Sequence, residues 1–251
     1  MPGLNQFLLR LCDSLAYRLR RRESAGAFRA TPLAAAGFDT FDTHELLRQL
    51  SSSAPRVIYD LGANRGQWTL LAKSVFATAE VHSFEPLPDH CTDFLRNTGG
   101  LTDVHLHRVA LGETTAELEM DLTTFSDSAS LLAPTEVMAR TYNVHSGRKV
   151  RVPVVRLDEW IAAQKLPPPD LIKLDLQGYE LSALRGAPAA LAHARAVLLE
   201  LSFREYYQAQ PTPGAVIAHL EAAGFRLHAL SPDLPAGRAL EQADALFVRQ
   251  D

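Results

Sequence analysis

Four short apolar runs set the terms of the fold: RVIYDL (56–61), AEVHSFE (79–85), DLIKLDL (170–176) and AVLLELS (196–202), each with a carboxylate at or near its C-terminal end. Runs of this length, rich in Val, Ile and Leu, predict strands buried on both faces. Between them lie segments whose apolar residues recur at three and four positions, GQWTLLAKSVFA (66–77), 88–97 and YELSALRG (179–186). Strands alternating with helices imply an α/β sandwich around a doubly wound, mostly parallel sheet. In such a sheet ligands bind beyond the strand C-termini, at the switch point, so Asp60, Glu85, Asp175 and Glu200 are expected at one functional edge.

The remaining segments fill in the plan. A short helix is expected over 43–50, strands over 103–111, 116–122 and 150–157, and a helix over 157–164. PTPGAVIAHLEAAGF (211–225) opens with prolines and closes with Gly224, a helix start and stop. Residues 225–230 and 243–249 then form a final antiparallel hairpin around a Pro-rich loop. The stretch 123–149 is too polar for a buried element and reads as a long loop over the acceptor site, offering Tyr142, Asn143, His145 and Arg148. His105 and His107 alternate on one strand face and read as a half-exposed surface rather than as ligands.

Composition matters chiefly for what it excludes. With 47% hydrophobic and 22% charged residues the chain has ample material for a core, so a mostly disordered chain is ruled out. No uninterrupted apolar run reaches the roughly 18 residues of a membrane span. Cys12 and Cys91 cannot build a disulfide framework, so a reducing, cytoplasmic compartment is expected. A net charge of −4 makes no case for a nucleic-acid partner. That charge is unevenly spread, since residues 1–30 hold six arginines against Asp13 and Glu23. Residues 4–23 have the period of an amphipathic helix with a basic C-terminal end, expected to pack on the domain, with peripheral contact to an anionic membrane as the alternative.

DLGANRG (60–66) joins a strand to a helix, the context in which a glycine loop is informative. Gly62 permits a sharp turn, and Gly66 permits close approach by a ligand or the helix. Asn64 and Gln67 stand where a dinucleotide fingerprint has its second and third glycines. Asp60 would repel a pyrophosphate but could hold an amino group or an ammonium. Glu85 closes the next strand about twenty residues on, the usual place for a carboxylate that grips ribose hydroxyls. A ribose-binding acid beside a phosphate-free loop points to S-adenosylmethionine.

These residues, together with VALGETTAELEM (109–120) and above all PDLIKLDLQGYELSALRGA (169–187) followed by VLLELS, resemble the FkbM family of S-adenosylmethionine-dependent methyltransferases. The resemblance covers roughly 56–205. It implies the class I methyltransferase fold, a Rossmann-like sheet of seven strands with the last antiparallel, and O-methylation of hydroxyls on sugars, glycolipids, polysaccharides or natural products. It divides the chain into an N-terminal helical extension (1–55) and a methyltransferase domain (56–251). Carried over by position, Asp60, Gly62, Asn64 and Gly66 surround the methionine portion and ribose of the cofactor, Glu85 takes the ribose hydroxyls, and Pro86 lies beside the adenine with Leu87. Ala110, Leu111 and Val109 pack on the adenine ring, and SDSASLL (126–132) lies near the pocket. Asp175 faces the transferred methyl. Gln177 departs from the family, where many members carry Glu.

An alcohol is a poor nucleophile near neutrality, so ether formation calls for a base beside the acceptor. Asp175 is the first choice as catalytic base, with Glu180 and Glu200 behind it. Asp175 and Glu200 could also hold Mg²⁺, although metal independence is favoured. The acceptor is a small molecule or glycan of undetermined identity, and the oligomeric state is not readable. Two alternatives stay open here: a nicotinamide-dependent oxidoreductase, and a non-catalytic cofactor-binding partner module.

Overall fold

The computed structural model describes residues 41–231 and 240–250, together with Leu15, Leu19 and Arg22. Most of the helix expected over 4–23 therefore lies outside the described residues. Leu15, Leu19 and Arg22 are helical and exposed.

Seven strands form the main sheet: β1 (Val57–Leu61), β2 (Glu80–Phe84), β3 (Val104–His107), β7 (Leu171–Leu174), β8 (Ala196–Ser202), β9 (Phe225–Leu230) and β10 (Gln242–Arg249). Their order is β3-β2-β1-β7-β8-β10-β9. All run parallel except β10, which is antiparallel to both β8 and β9. This is the expected seven-stranded sheet with its antiparallel final strand. The chain leaves β1 towards β2 on one side and later returns to β7 on the other, so the switch point falls at the C-terminal ends of β1 and β7. β7 is buried at every position and β1 at all but its first, as strands covered on both faces must be.

Helices α1 (Phe41–Arg48) and α2 (Gln67–Val75) cover one face, with Leu46, Leu47, Leu70 and Leu71 packed on Ile58, Val81 and Leu198. The segment before residue 55 thus contributes to the same core as the sheet. The opposite face packs Tyr59, Leu61, Ile172 and Leu199 against α5 (Leu157–Gln164), α6 (Glu180–Arg185), α7 (Pro188–His193) and α8 (Pro213–Ala222), through Leu157, Leu184, Leu191 and Leu220. Helix α3 (Pro88–Thr98) follows β2 and packs beside β3.

Two expectations need correction. The strand expected over 103–111 is broken: β3 stops at His107, and Ala110–Leu111 forms β4 in a second sheet of order β4-β6-β5, with β5 at Ala116–Leu122 and β6 at Arg148–Val155. The apolar alternation loses its phase at His107–Arg108, but with no Gly or Pro there the segment still reads as one strand. The stretch 123–149 is not a structureless loop, since it contains α4 (Glu136–Tyr142), capped by the Thr135 hydroxyl accepting from Met138 N at 3.4 Å. Two apolar side chains of the stretch, Met138 and Val144, are buried against Tyr206 and Tyr207. A partner some seventy residues away supplies the packing that local polarity seemed to deny.

Candidate active site

Two adjoining clefts open beyond the C-terminal ends of β1, β2 and β7. The first is a narrow cavity of about 70 Å³ that runs between the loop after β1, the turn after β2 and the second sheet. Phe84, Leu87, Val109, Ala110 and Leu111 give it an apolar wall, with Glu85 and His90 as polar groups. The second is wider, about 580 Å³, and is walled by Trp68, Phe125, Met138 and Tyr142, with Glu200 and Gln242. Gly62, Asn64, Asp127, Asp175 and Gln177 border both.

Local structure explains why these residues converge. Gly62 has φ 83°, and a side chain there would collide with the carbonyl oxygen of Asp175, so only glycine lets the β1 loop pass the end of β7 so closely. Asn64 follows with φ 48° and places its Oδ1 in a buried position that no donor of the described residues reaches. Glu85, immediately after β2, is 5% exposed. Its Oε2 accepts from Asn64 N at 3.0 Å and its Oε1 from Leu87 N at 2.9 Å, while His90 Nδ1 stands 3.5 Å from Oε1. Two backbone donors hold the carboxylate still, and each oxygen keeps a lone pair for a ligand hydroxyl.

Asp175 sits at the junction of the clefts with its side chain 43% exposed. Its Oδ1 accepts from Gln177 Nε2 at 2.8 Å, and its Oδ2 lies 3.8 Å from Lys173 Nζ. Gln177, at φ 53°, in turn accepts at Oε1 from the Tyr207 hydroxyl at 2.7 Å. The neutral amide can donate to Asp175 and accept from Tyr207 at once, which an ionised carboxylate could not. Lys173 is buried, and its Nζ is 3.2 Å from Asp60 Oδ1. Burial alone would lower the Lys173 pKa, but Asp60 and Asp175 overcome it and raise it, so the ammonium stays charged.

Of the residues expected at the site, Gly62, Asn64, Glu85, Pro86, Ala110, Leu111 and Asp175 border the first cleft, and Glu200 the second. Three do not border either cleft. Asp60 is fully buried beneath the loop, where it accepts from the Thr69 hydroxyl at 2.7 Å and pairs with Lys173. Gly66 opens α2 at φ 88° and lies against Phe94 and Thr98 of α3, so its lack of a side chain serves helix packing. Glu180 accepts at Oε1 from Leu176 N at 2.8 Å and Gly178 N at 3.2 Å, bracing the loop that carries Gln177. Burial pushes its pKa up to about 7 despite those donors. Glu200 accepts from Gln242 Nε2 at 2.7 Å. Burial, with Asp175 and Asp244 nearby, drives it well above the usual carboxylate range. That shift leaves Glu200 less readily ionised than an ordinary carboxylate.

The segment expected as an acceptor loop does reach the second cleft, through Tyr142 of the four residues expected there and otherwise through Phe125, Asp127, Ser128, Met138 and Val144. Asn143, His145 and Arg148 do not border it. The SDSASLL stretch reaches the site too, with Ser130 Oγ donating to the Gln177 carbonyl at 2.7 Å. Sequence reasoning missed Lys173, Trp68, Tyr207 and Gln242. Lys173 alone had a usable signal: it shares a strand face with Asp175, two residues on.

Residues 60–227 match the family described as "Methyltransferase FkbM domain". The 2-O-methyltransferase NoeI of Sinorhizobium fredii is 26% identical over 174 residues, which covers 66% of this chain and 72% of that protein. The hexuronic acid methyltransferase AglP of Haloferax volcanii is 25% identical over 146 residues, covering 58% of this chain and 55% of its own length. Among solved structures, magnesium protoporphyrin IX methyltransferase from Synechocystis PCC 6803 aligns over 95% of this chain and 97% of its own at 10% identity, with a TM-score of 0.47. At that score the assignment of the fold rests on the strand order itself.

Proposed function

The chain belongs to the FkbM family of methyltransferases, and from that premise we propose that it moves the methyl group of S-adenosylmethionine to a hydroxyl oxygen of a sugar or sugar-bearing acceptor. The family excludes the oxidoreductase alternative. The observation that carries the reading is the first cleft: a clamped carboxylate, Glu85, an apolar slot and an unpaired buried acceptor, Asn64 Oδ1, along one wall. Glu85 would bind the ribose hydroxyls, the slot between Leu87 and Leu111 the adenine, and Asn64 Oδ1 a donor such as the amino group of the methionine portion. When bound, the cofactor supplies a methyl carbon open to in-line attack by oxygen.

The second cleft suits the acceptor. Trp68, Phe125 and Tyr142 offer flat apolar surface, and Gln242 and Glu200 offer polar groups, a combination that suits a ring carrying several hydroxyls. Asp175, common to both clefts, is the proposed base. Gln177 fixes its Oδ1, leaving Oδ2 to take the hydroxyl proton as the oxygen attacks. The names of the relatives support this class, since one is a 2-O-methyltransferase and another acts on hexuronic acid. Titration calorimetry with S-adenosylhomocysteine tests the cofactor half. Saturable binding to the wild-type protein, weakened in an Asn64→Ala variant, is expected, and no binding at millimolar ligand would refute it.

A further inference from the structure

Behind the Phe84 wall of the first cleft, three aromatic nitrogen rings stack along the outer edge of the sheet, with His107 lying 4.7 Å from Phe84 between ring centroids. His82 of β2 lies between His105 and His107 of β3, with ring centroids 4.9 Å and 5.3 Å away and interplanar angles of 22° and 21°. None of the three borders either cleft. Strand geometry dictates the grouping. Glu80 and His82 are two apart on β2 and share a face, as do His105 and His107 on β3. The parallel register sets His82 directly beside His105. Glu80 Oε1 then lies 3.0 Å from His82 Nε2 and 3.5 Å from His105 Nε2.

We propose that Glu80, His82 and His105 bind one divalent transition-metal ion of the zinc type, clamping the edge strand β3 to β2. Two imidazoles and a carboxylate are a donor set that zinc favours, and its bonds of about 2.0–2.2 Å in a tetrahedron call for donor atoms a little over 3 Å apart. The three ligand atoms here lie within 4.8 Å of one another, so closure needs only small side-chain rotations. The backbone of two paired strands fixes all three positions in advance. His82 is buried while the Glu80 and His105 side chains are 38% and 50% exposed, so the ion would be anchored from inside and keep an outward position for water.

His107 supplies the support a ligating histidine usually has on its other nitrogen, with its Nε2 3.0 Å from His82 Nδ1. Without metal, Trp160 Nε1–H donates to His107 Nδ1 at 3.2 Å, which directs the His107 proton to Nε2 and the His82 proton to Nε2, facing Glu80. Metal at His82 Nε2 moves that proton to Nδ1, where it donates to His107 Nε2. His107 then keeps its own proton on Nδ1, and the Trp160 hydrogen bond is given up, a cost small beside three metal–ligand bonds.

The test uses the full chain without a histidine tag, stripped with a chelator and titrated with zinc chloride by calorimetry, alongside thermal melts. One ion per chain and a rise in Tm of several degrees are expected. His105→Ala and Glu80→Gln should each weaken binding about tenfold or more and abolish the Tm rise, while His145→Ala changes neither. His105 is exposed, so its variant should melt like the metal-free wild type, which keeps a loss of binding separable from a loss of fold. Absence of saturable binding, or zinc binding indifferent to both substitutions, would overturn the site.

Discussion

Gln177 Nε2 donates to Asp175 Oδ1 at 2.8 Å, and the same amide accepts from the Tyr207 hydroxyl at 2.7 Å. The carboxylate at the junction of the two clefts is thus oriented by a neutral side chain locked at its far end. Gln177→Glu would set a second carboxylate against Asp175, and like charges raise each other's pKa. The acidic limb of the pH profile of kcat/KM should move up by about one unit or more. An unmoved limb would separate Asp175 from the proton transfer.

Glu85 is expected to act on cofactor affinity rather than on the chemical step. Glu85→Gln keeps one acceptor oxygen but turns an amide N–H towards a backbone donor, Asn64 N or Leu87 N. Affinity for S-adenosylhomocysteine should fall about 10- to 100-fold, with Tm lowered and kcat at saturating cofactor nearly unchanged. A lower kcat with unchanged affinity would contradict the assignment.

Lys173 and Asp60 form a buried pair at 3.2 Å. Lys173→Met leaves the Asp60 carboxylate, which is 0% exposed, without its cation and should cost about 3–5 kcal/mol of stability by denaturant unfolding. Adding Asp60→Asn should restore much of the loss, because the unpaired charge then disappears. Additive losses in the double variant would show that the pair is not coupled.

Glu180 makes a prediction about stability and pH. Burial raises its pKa from 4.5 to about 7 in the folded chain, so the folded state binds the proton more tightly than the unfolded one. Its contribution is therefore fully present below about pH 4.5 and is lost as pH rises through about 7. Glu180→Gln retains an oxygen for Leu176 N and Gly178 N without the charge. Its Tm should exceed that of the wild type at about pH 8 and approach it near pH 4.5. Parallel melting curves across that range would rule the mechanism out.

Much of this arrangement was legible in the sequence because strand ends and loop glycines are local signals. The apolar runs located β1, β2, β7 and β8, and the acids Glu85 and Asp175 fell at the cleft as expected. In sequence, a strand-end acid such as Asp60 looks the same whether it faces a ligand or the sheet interior. The register that pairs Asp60 with Lys173 across β1 and β7 decides it, and register between distant strands is not written in either strand alone. The spacing that suggests Glu180 as a base does not reveal that its Oε1 accepts from two backbone donors of its own loop. The second cleft was the least readable, since Trp68 and Gln242 are brought to Tyr142 from α2 and β10 by packing alone.

The central claim is that Asp175 takes the acceptor proton in a cleft that holds the cofactor independently of it. The most direct measurement is single-turnover methyl transfer from labelled S-adenosylmethionine to a hydroxyl-bearing glycan acceptor by wild type and Asp175→Asn, paired with S-adenosylhomocysteine affinity for both. Transfer slowed about 100-fold or more, with affinity changed less than about tenfold, is the predicted result. Equal loss of both would make Asp175 a cofactor ligand, and undiminished transfer would place the base elsewhere.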